Sequence, residues 1–272
     1  MTVYIPTIGR IDLKLRAHLP RWIEQEMPIR LVVRPDEYDA HRLLAKDLER
    51  THGEIDLSVV KLPAATKTGL GATRNYVVRH AERRGLSSII ICDDDVRPAK
   101  GTNMWRLIED ADQENVLGVG ATHGLQDRFT GGGITKNKGK VILCPGGWGF
   151  TCFGLNVATA LWLGNFDVKL HALADDAELA RMGILNGIPW RVDCGVTIEL
   201  NQKRYDPGGM STVYPTREAR DAAERECMAL IHERWPDYTN EPDKKVRTSW
   251  QKLLDKYIPD WRDMSALHGG SL

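Results

Sequence analysis

The chain has 272 residues, of which 42% are hydrophobic and 27% charged, and its formal net charge is zero. This composition is typical of a globular protein, and the length fits one large α/β domain or one domain with an appendage. No stretch approaches the roughly 20 apolar residues of a membrane span, and zero net charge gives no overall support for nucleic-acid binding.

Strands and helices alternate along the first hundred residues. Apolar runs and their turn residues predict strands over 2–6, 29–34, 56–63 and 89–92. Helical patterns predict helices over 13–25, over 38–52, and from the glycines at 69 and 71 to a C-terminal cap at Gly85. Such alternation is typical of a mainly parallel, doubly wound sheet.

The pattern is looser after Pro98. We predict helices over 103–113 and 174–188, and strands over 116–122, 139–146 and 189–200. The segment 150–164 is apolar and interrupted by glycine, and the last seventy residues carry the mixed charge of surface helices. The predicted fold class is α/β, with one domain over 1–200 and a helical C-terminal extension over 201–272 packed on it.

The sequence shows neither a targeting pattern nor a metal-binding cysteine pattern. The N-terminus MTVYIPTIGR has no basic segment followed by a long apolar one, so we expect no signal peptide, no membrane partner and a cytoplasmic location. The five cysteines are odd in number and widely spaced, and the sequence contains no CxxC pair. This spacing argues against a zinc site and favours reduced, buried thiols.

Three adjacent carboxylates, Asp93, Asp94 and Asp95, follow the buried strand 89–92. Like charges this close repel each other, so the arrangement needs a compensating feature. One reading is a solvated turn, with Pro98 as a breaker. The other is a cation site, because Mg²⁺ and Mn²⁺ are commonly held by one or two carboxylates plus phosphate oxygens. If the strand continued through the triplet, Asp93 and Asp95 would point to the same side.

Four segments, taken in order, resemble one enzyme superfamily. VYIPTIGR, GLGATRNYVVRHA, IIICDDDVRP and LADDAELARMGILNG resemble the GT-A-fold nucleotide-diphospho-sugar glycosyltransferases, over residues 1–200. Two positions depart from the usual pattern: Thr73 replaces an Ala before Arg-Asn, and Asp175-Asp176 replaces Glu-Asp. Within this superfamily the chain resembles the TET-associated glycosyltransferases of bacteriophages, which implies a protein of the host cytoplasm.

The resemblance implies a binding site for a nucleotide-diphospho-sugar, with a UDP-sugar as the expected donor. The donor-binding residues it implies are Pro6, Thr7, Arg10, Gly69, Gly71, Arg74, Asp93 and Asp94. Asp95 would hold Mn²⁺ or Mg²⁺ with the diphosphate, and Asp93 would contact the ribose or the metal; the metal would offset charge on the departing diphosphate. Glycines at a helix N-terminus suit an anion, and an arginine fork suits phosphate. Two alternatives stay open: an ordinary turn after the first strand, and pairing of Arg74 with a carboxylate.

The catalytic group implied by the resemblance is a carboxylate at the start of helix 174–188. Asp176 aligns best with the general base that takes a proton from an acceptor hydroxyl, and Asp175 and Glu178 are its neighbours. Carboxylates also stabilise helix N-termini without any chemistry, so simple capping is the alternative.

The acceptor implied by the phage enzymes is DNA with hydroxymethylated pyrimidines such as 5-hydroxymethylcytosine. The expected acceptor-binding residues are Gly147, Trp148, Phe150, Lys136 and Lys138. Aromatic rings suit a sugar face or a stacked base, and lysines suit phosphates. A core tryptophan and a solvated basic loop are the corresponding alternatives.

Three classes of function remain open from the sequence. They are a DNA glycosyltransferase, a glycosyltransferase acting on a saccharide or a protein, and a non-catalytic nucleotide-sugar binding protein. Intact Asp93, Asp95 and Asp176 argue against the third class, whereas zero net charge favours the second over the first.

Overall fold

The computed structural model describes most of the chain. The described residues are 1–9, 11, 15–123, 138–143, 151–200, 210–236 and 252–260. Within them, no helix is both long and apolar enough to cross a membrane.

Nine strands of the described residues form one sheet. They are β1 Val3–Pro6, β2 Ile29–Val33, β3 Leu57–Lys61, β4 Ser88–Cys92, β5 Val96–Pro98, β6 Gly118–Thr122, β7 Val141–Leu143, β8 Cys152–Asn156 and β9 Arg191–Leu200. The order across the sheet is β3-β2-β1-β4-β8-β6-β9-β5, and β7 pairs with β9.

Six of these strands point in one direction. Strands β1 to β4 pair in parallel, and β6 and β9 run the same way on the far side of β8. Strands β5, β7 and β8 run in the opposite direction. The predicted α/β class with a mainly parallel sheet is therefore confirmed, and the reversed strands lie in the second half of the chain.

The helices surround this sheet. They are α1 Arg16–Ile23, α2 Tyr38–His52, α3 Leu70–Arg83, α4 Trp105–Ala111, α5 Val157–Trp162, α6 Asp175–Leu185, α7 Met210–Val213 and α8 Arg217–Arg234. A further helical turn covers 252–257, and a short 3₁₀ helix, Pro35–Glu37, precedes α2.

Two elements differ from the sequence-based expectation. Pro98, predicted to be a breaker, ends strand β5 at the edge of the sheet, where a missing backbone N–H is tolerated. The segment 150–164, which had no assignment, contains β8 and then α5. The change from strand to helix occurs at Asn156, whose side chain accepts a hydrogen bond from the Thr159 N–H at 3.0 Å and caps α5.

The two faces of the sheet bury separate apolar clusters. In β4, Ile90 and Cys92 belong to one cluster, and Ile89 and Ile91 belong to the other, as the period of two requires. This double burial explains why the strand reads as an unbroken apolar run. The described cysteines, Cys92, Cys152, Cys194 and Cys227, are buried as expected.

A third cluster joins the C-terminal helices to α6. Ala177 and Ile184 of α6 are buried with Cys227 and Ile231 of α8 and with Leu254. The helix that carries the predicted catalytic carboxylates therefore lies between the main core and the C-terminal segment. The domain boundary at residue 200 stays a prediction.

Candidate active site

The carboxyl ends of β1 and β4 bring two predicted site segments together. The strands are adjacent and parallel, with Tyr4 opposite Ile91, so Thr7 and Asp93 follow them at the same edge of the sheet. The Thr7 N–H donates to the Val32 carbonyl at 3.0 Å, and Thr7 is 6% exposed. Its hydroxyl oxygen is buried and has no hydrogen bond within the described part of the chain. A ligand at this edge would supply a partner for that hydroxyl.

The carboxylate triplet forms a buried turn. Strand β4 ends at Cys92, the Asp93 N–H donates to the Thr151 carbonyl at 2.7 Å, and the chain turns before β5 begins at Val96. No strand passes through Asp93 and Asp95, so the condition under which they would share one side of a strand is not met. Asp95 is only 1% exposed, so the solvated-turn reading is wrong.

Arg74 of α3 lies between the triplet and the start of α6. One guanidinium nitrogen, Nη1, donates to both carboxylate oxygens of Asp175 at 3.2 and 3.1 Å. The other, Nη2, donates to Asp93 Oδ1 at 3.3 Å. Pairing of Arg74 with a carboxylate was the alternative that the sequence left open, and the structure contains it twice. A contact between Arg74 and a phosphate stays a prediction.

Burial controls the protonation of this cluster. It raises the pKa of Asp93 to about 7, with Arg74 opposing the shift and Asp95 and Asp94 adding to it. It also raises the pKa of Asp175 to about 6, where Arg74 again opposes the shift. The crowded carboxylates therefore need positive charge, and Arg74 supplies part of it.

The acidic start of α6 is buried. Ala174, just before the helix, adopts a left-handed conformation with φ of 67°. Asp175 and Asp176 follow at 1% and 8% exposure, and Asp176 Oδ1 accepts a hydrogen bond from the Ala177 N–H at 2.8 Å. A carboxylate in the first turn of a helix interacts favourably with the helix dipole, and a carboxylate can also act as a general base, so this geometry is compatible with both readings.

Glu178, the predicted alternative base, belongs to an ion-pair cluster. Its carboxylate accepts a hydrogen bond from Arg234 of α8, which also pairs with Asp167 at 2.6 Å. Burial raises the pKa of Glu178, and Arg234 opposes that shift. The cluster ties α8 to α6, which gives Glu178 a structural role; a catalytic role for it stays a prediction.

Gly69 and Gly71 allow α3 to approach the segment 167–171 closely. A Cβ on Gly71 would lie 2.1 Å from the Asp167 carbonyl oxygen, and Gly69 has φ of 137° with His171 beside it. The N–H groups of Leu70 and Gly71 donate to the carbonyls of His171 and Leu170. Two N–H groups in the first turn of α3 are thus used within the protein, and donor binding by these glycines stays a prediction.

Thr73 and Asn75 explain part of the sequence pattern around Arg74. The hydroxyl of Thr73, which departs from the superfamily pattern, donates to the Gly69 carbonyl at 2.8 Å. The Asn75 side chain donates to the Phe166 carbonyl at 2.7 Å. Both contacts hold the region of α3 that presents Arg74.

The donor set of the triplet fits a divalent cation bound together with phosphate. The described hydrogen bond to Asp93 uses only Oδ1, and 27% of this side chain is exposed, so the carboxylate can still reach a cation. Asp95, which is 1% exposed, is a second carboxylate of the same turn. Among the described residues, no group of three or more His, Cys, Asp or Glu side chains could hold a metal with protein ligands alone. One or two carboxylates plus phosphate oxygens are a common set for Mg²⁺.

Three of the remaining predicted residues are described, and five are not. Pro6 ends β1 beside Thr7, and Asp94 lies in the triplet turn at 6% exposure. Lys138 is exposed just before β7. The others, Arg10, Lys136, Gly147, Trp148 and Phe150, lie outside the described residues.

Sequence reasoning missed the aromatic side chains around Arg74. The guanidinium carbon lies 5.6 Å from the ring centre of Phe153 and 6.0 Å from that of Phe166. It also missed the contact between His171 and the Tyr214 hydroxyl, which joins the segment beside α3 to the C-terminal region. No local pattern marks these partners, because they are distant in the chain.

Solved structures with a similar fold exist, whereas comparison of the sequence with known families finds no match. The chain matches no protein-family model, and no curated protein matches it. The mannosyltransferase PcManGT from Pyrobaculum calidifontis, solved with GDP-Man and Mn²⁺, has a TM-score of 0.61 and 20% identity. That match covers 100% of this chain and 76% of the mannosyltransferase.

A second similar structure is GalNAc-T7, solved with UDP, GalNAc and Mn²⁺. It has a TM-score of 0.56 and 12% identity, and the match covers 98% of this chain and 57% of GalNAc-T7. At identities this low, the two structural matches show a shared fold and nothing more specific. The predicted GT-A-like α/β fold is confirmed.

Proposed function

We propose that this protein is a metal-dependent glycosyltransferase that moves a sugar from a nucleotide-diphospho-sugar to a hydroxyl acceptor. The observation that carries the proposal is the buried carboxylate turn 93–95, which lies at the carboxyl end of β4 and is joined through Arg74 to the acidic start of α6. Ligands of open α/β sheets bind at such strand ends. The fold similarity to two proteins solved with Mn²⁺ and a nucleotide or nucleotide sugar supports it further.

The donor half of the site lies along the ends of β1 and β4. We propose that Thr7 and the neighbouring backbone meet the nucleoside of a UDP-sugar, and that Asp93 and Asp95 hold Mn²⁺ or Mg²⁺ against the diphosphate. When bound, the metal would stabilise negative charge on the leaving diphosphate. Thr7 and Asp95 are 6% and 1% exposed, and electrostatic interactions are stronger where a site is shielded from water.

The acceptor half begins with Asp176. Its carboxylate would accept the proton of the acceptor hydroxyl as that oxygen attacks the sugar. The first turn of α6 holds it by the hydrogen bond from Ala177. Packing of α6 between two apolar clusters fixes the helix.

For the acceptor we propose DNA that carries hydroxymethylated pyrimidines. The sequence resemblance to the phage TET-associated enzymes supports this choice, and exposed Lys138 and Lys140 suit phosphate contacts. The hydroxymethyl group lies in the major groove, so the enzyme has to enter the groove or flip the nucleotide out. A saccharide or protein acceptor is the second candidate, because zero net charge favours it.

A transfer assay tests the proposed function. The protein is incubated with a panel of UDP- and GDP-sugars, Mn²⁺ and DNA that contains 5-hydroxymethylcytosine, and nucleoside mass spectrometry detects any added hexose. We expect transfer that chelator abolishes. Asp95→Asn should lower the rate by at least about 10²-fold, because Lewis-acid stabilisation is worth several kcal/mol. Asp47→Asn, which removes an exposed carboxylate of α2, is the matched control and should keep the rate.

Two outcomes would contradict different parts of the proposal. If no nucleotide sugar is hydrolysed or used with any acceptor, glycosyl transfer itself is wrong. If a saccharide or a peptide is glycosylated while modified DNA, single- or double-stranded, is not, only the DNA acceptor is wrong.

A further inference from the structure

The guanidinium of Arg74 joins the two halves of the proposed site. It contacts Asp93, in the turn after β4, at 3.3 Å and Asp175, at the start of α6, at 3.1 Å. Asp93 belongs to the proposed metal-binding turn, and Asp175 is the immediate neighbour of the proposed base Asp176. One side chain therefore spans the elements that carry the two kinds of chemistry.

The bridge is buried and its orientation is constrained. The Arg74 side chain is 6% exposed and that of Asp175 is 1% exposed. The rings of Phe153 and Phe166 lie within cation–π distance of the guanidinium. A planar fork held in this way fixes two carboxylates relative to each other, which the point charge of a lysine cannot do.

We infer that Arg74 is a positioning residue, which acts through Asp175 to set the distance between the turn 93–95 and the base Asp176. The inference rests on the proposed function and deepens it. Asp175 and Asp176 are consecutive at the start of α6, so a shift of the backbone there moves both carboxylates. In this inference Arg74 and Asp175 act by positioning, whereas the donor-binding role of Arg74 and the catalytic role of Asp175 that the resemblance implies stay predictions.

Kinetics of two single variants test the inference. In Arg74→Lys and Asp175→Asn we expect kcat for sugar transfer to fall about 10²-fold, the cost of misplacing a catalytic group by roughly 1 Å. The Kd for the nucleotide sugar with Mn²⁺ should stay within about threefold, because the donor contacts are kept. The double variant should lose little more than either single one, because the two residues act as a unit.

Arg106→Lys is the matched control. Arg106 of α4 pairs with the buried carboxylate of Asp193 at 2.8 and 3.0 Å, and these two hydrogen bonds involve neither Asp93 nor Asp175. The substitution disturbs an arginine–aspartate pair of the same kind, so it reports the cost of weakening such a pair. We expect its kcat and Kd to match the wild-type values.

Two kinetic results would overturn the inference. If Arg74→Lys raises the donor Kd tenfold or more while Asp175→Asn does not, Arg74 binds the diphosphate directly. If both variants fold and keep the wild-type kcat, the bridge only stabilises the fold. Asp175→Asn removes charge without removing volume, so it keeps the test available should Arg74→Lys fail to fold.

Hydrogen–deuterium exchange supplies a readout that needs no turnover. We expect faster amide exchange at both 93–96 and 175–178 in Arg74→Lys and in Asp175→Asn, but at neither segment in Arg106→Lys. Unchanged exchange at 93–96 in both site variants would overturn the bridge. A wild-type protein that transfers no sugar would instead overturn the proposed function, and the exchange result would still decide the inference.

Discussion

Gly71→Ala should destabilise the fold by about 4 kcal/mol. The new Cβ would lie 2.1 Å from the Asp167 carbonyl oxygen and 2.8 Å from that of Leu170. Both are backbone atoms, so no side-chain rotation relieves the clash, and overpacking costs about 1–3 kcal/mol. Helix α3 would have to move, which would lengthen the hydrogen bonds from Leu70 to His171 and from Gly71 to Leu170, now 3.0 and 3.1 Å, at about 1 kcal/mol each.

Urea and thermal unfolding measure this loss. At about 2–4 °C per kcal/mol, the melting temperature of Gly71→Ala should fall by roughly 8–16 °C. Gly85→Ala is the control: its φ is +66° and nothing lies within 4 Å, so only backbone strain of about 1–2 kcal/mol applies. A Gly71→Ala protein that melts like wild type but binds nucleotide diphosphate poorly would refute the packing role and assign this glycine to the ligand.

Three further changes test separate features. Asp176→Asn should keep the donor Kd within about threefold and lower kcat at least 10²-fold, because a base acts on the reacting hydroxyl; an active variant would direct the search to Glu178→Gln. Replacing Lys138 and Lys140 with alanine should flatten the log–log salt dependence of DNA affinity by about 0.9 per lost phosphate contact, measured by fluorescence anisotropy, and an unchanged slope would exclude these lysines. Burial raises the pKa of Asp110 from 3.8 to about 7. The folded state therefore binds this proton more tightly than the unfolded state does, and the resulting stabilisation of the fold is complete below pH 3.8 and is lost as pH rises through about 7. The melting temperature of Asp110→Asn should therefore fall less than that of wild type between about pH 5 and 8, whereas parallel profiles would contradict this origin.

Periodicity and local chemistry predict the parts of the fold that depend on neighbouring residues. The apolar run 89–91 predicts a strand buried on both faces, and β4 lies in the middle of the sheet between β1 and β8. The carboxylates that follow this run predict a polar site at the carboxyl end of the strand, and Asp93 and Asp95 lie at that end of β4. Strand β5 is not predicted, because it has only three residues and contains Pro98. It forms by pairing with β9, and no local sequence pattern predicts that pairing.

The contacts that define the candidate site come from distant parts of the chain. Arg74 and Asp175 are separated by 101 positions, so no spacing rule connects them. The Asp93 N–H donates to the carbonyl of Thr151, 58 positions away, and the local sequence does not show that this contact forms where the strand ends. Composition and motifs identify which residues are chemically suitable, whereas tertiary packing decides which of them meet.

Calorimetric titration of UDP and GDP into the protein, with Mn²⁺ and with chelator, is the most direct test of the buried turn as a metal–diphosphate site. We expect binding only with Mn²⁺, at least a tenfold loss of affinity in Asp95→Asn, and wild-type affinity in Asp47→Asn. Equal affinity with chelator, or an unchanged affinity in Asp95→Asn, would show that the carboxylates after β4 do not hold a metal for the diphosphate.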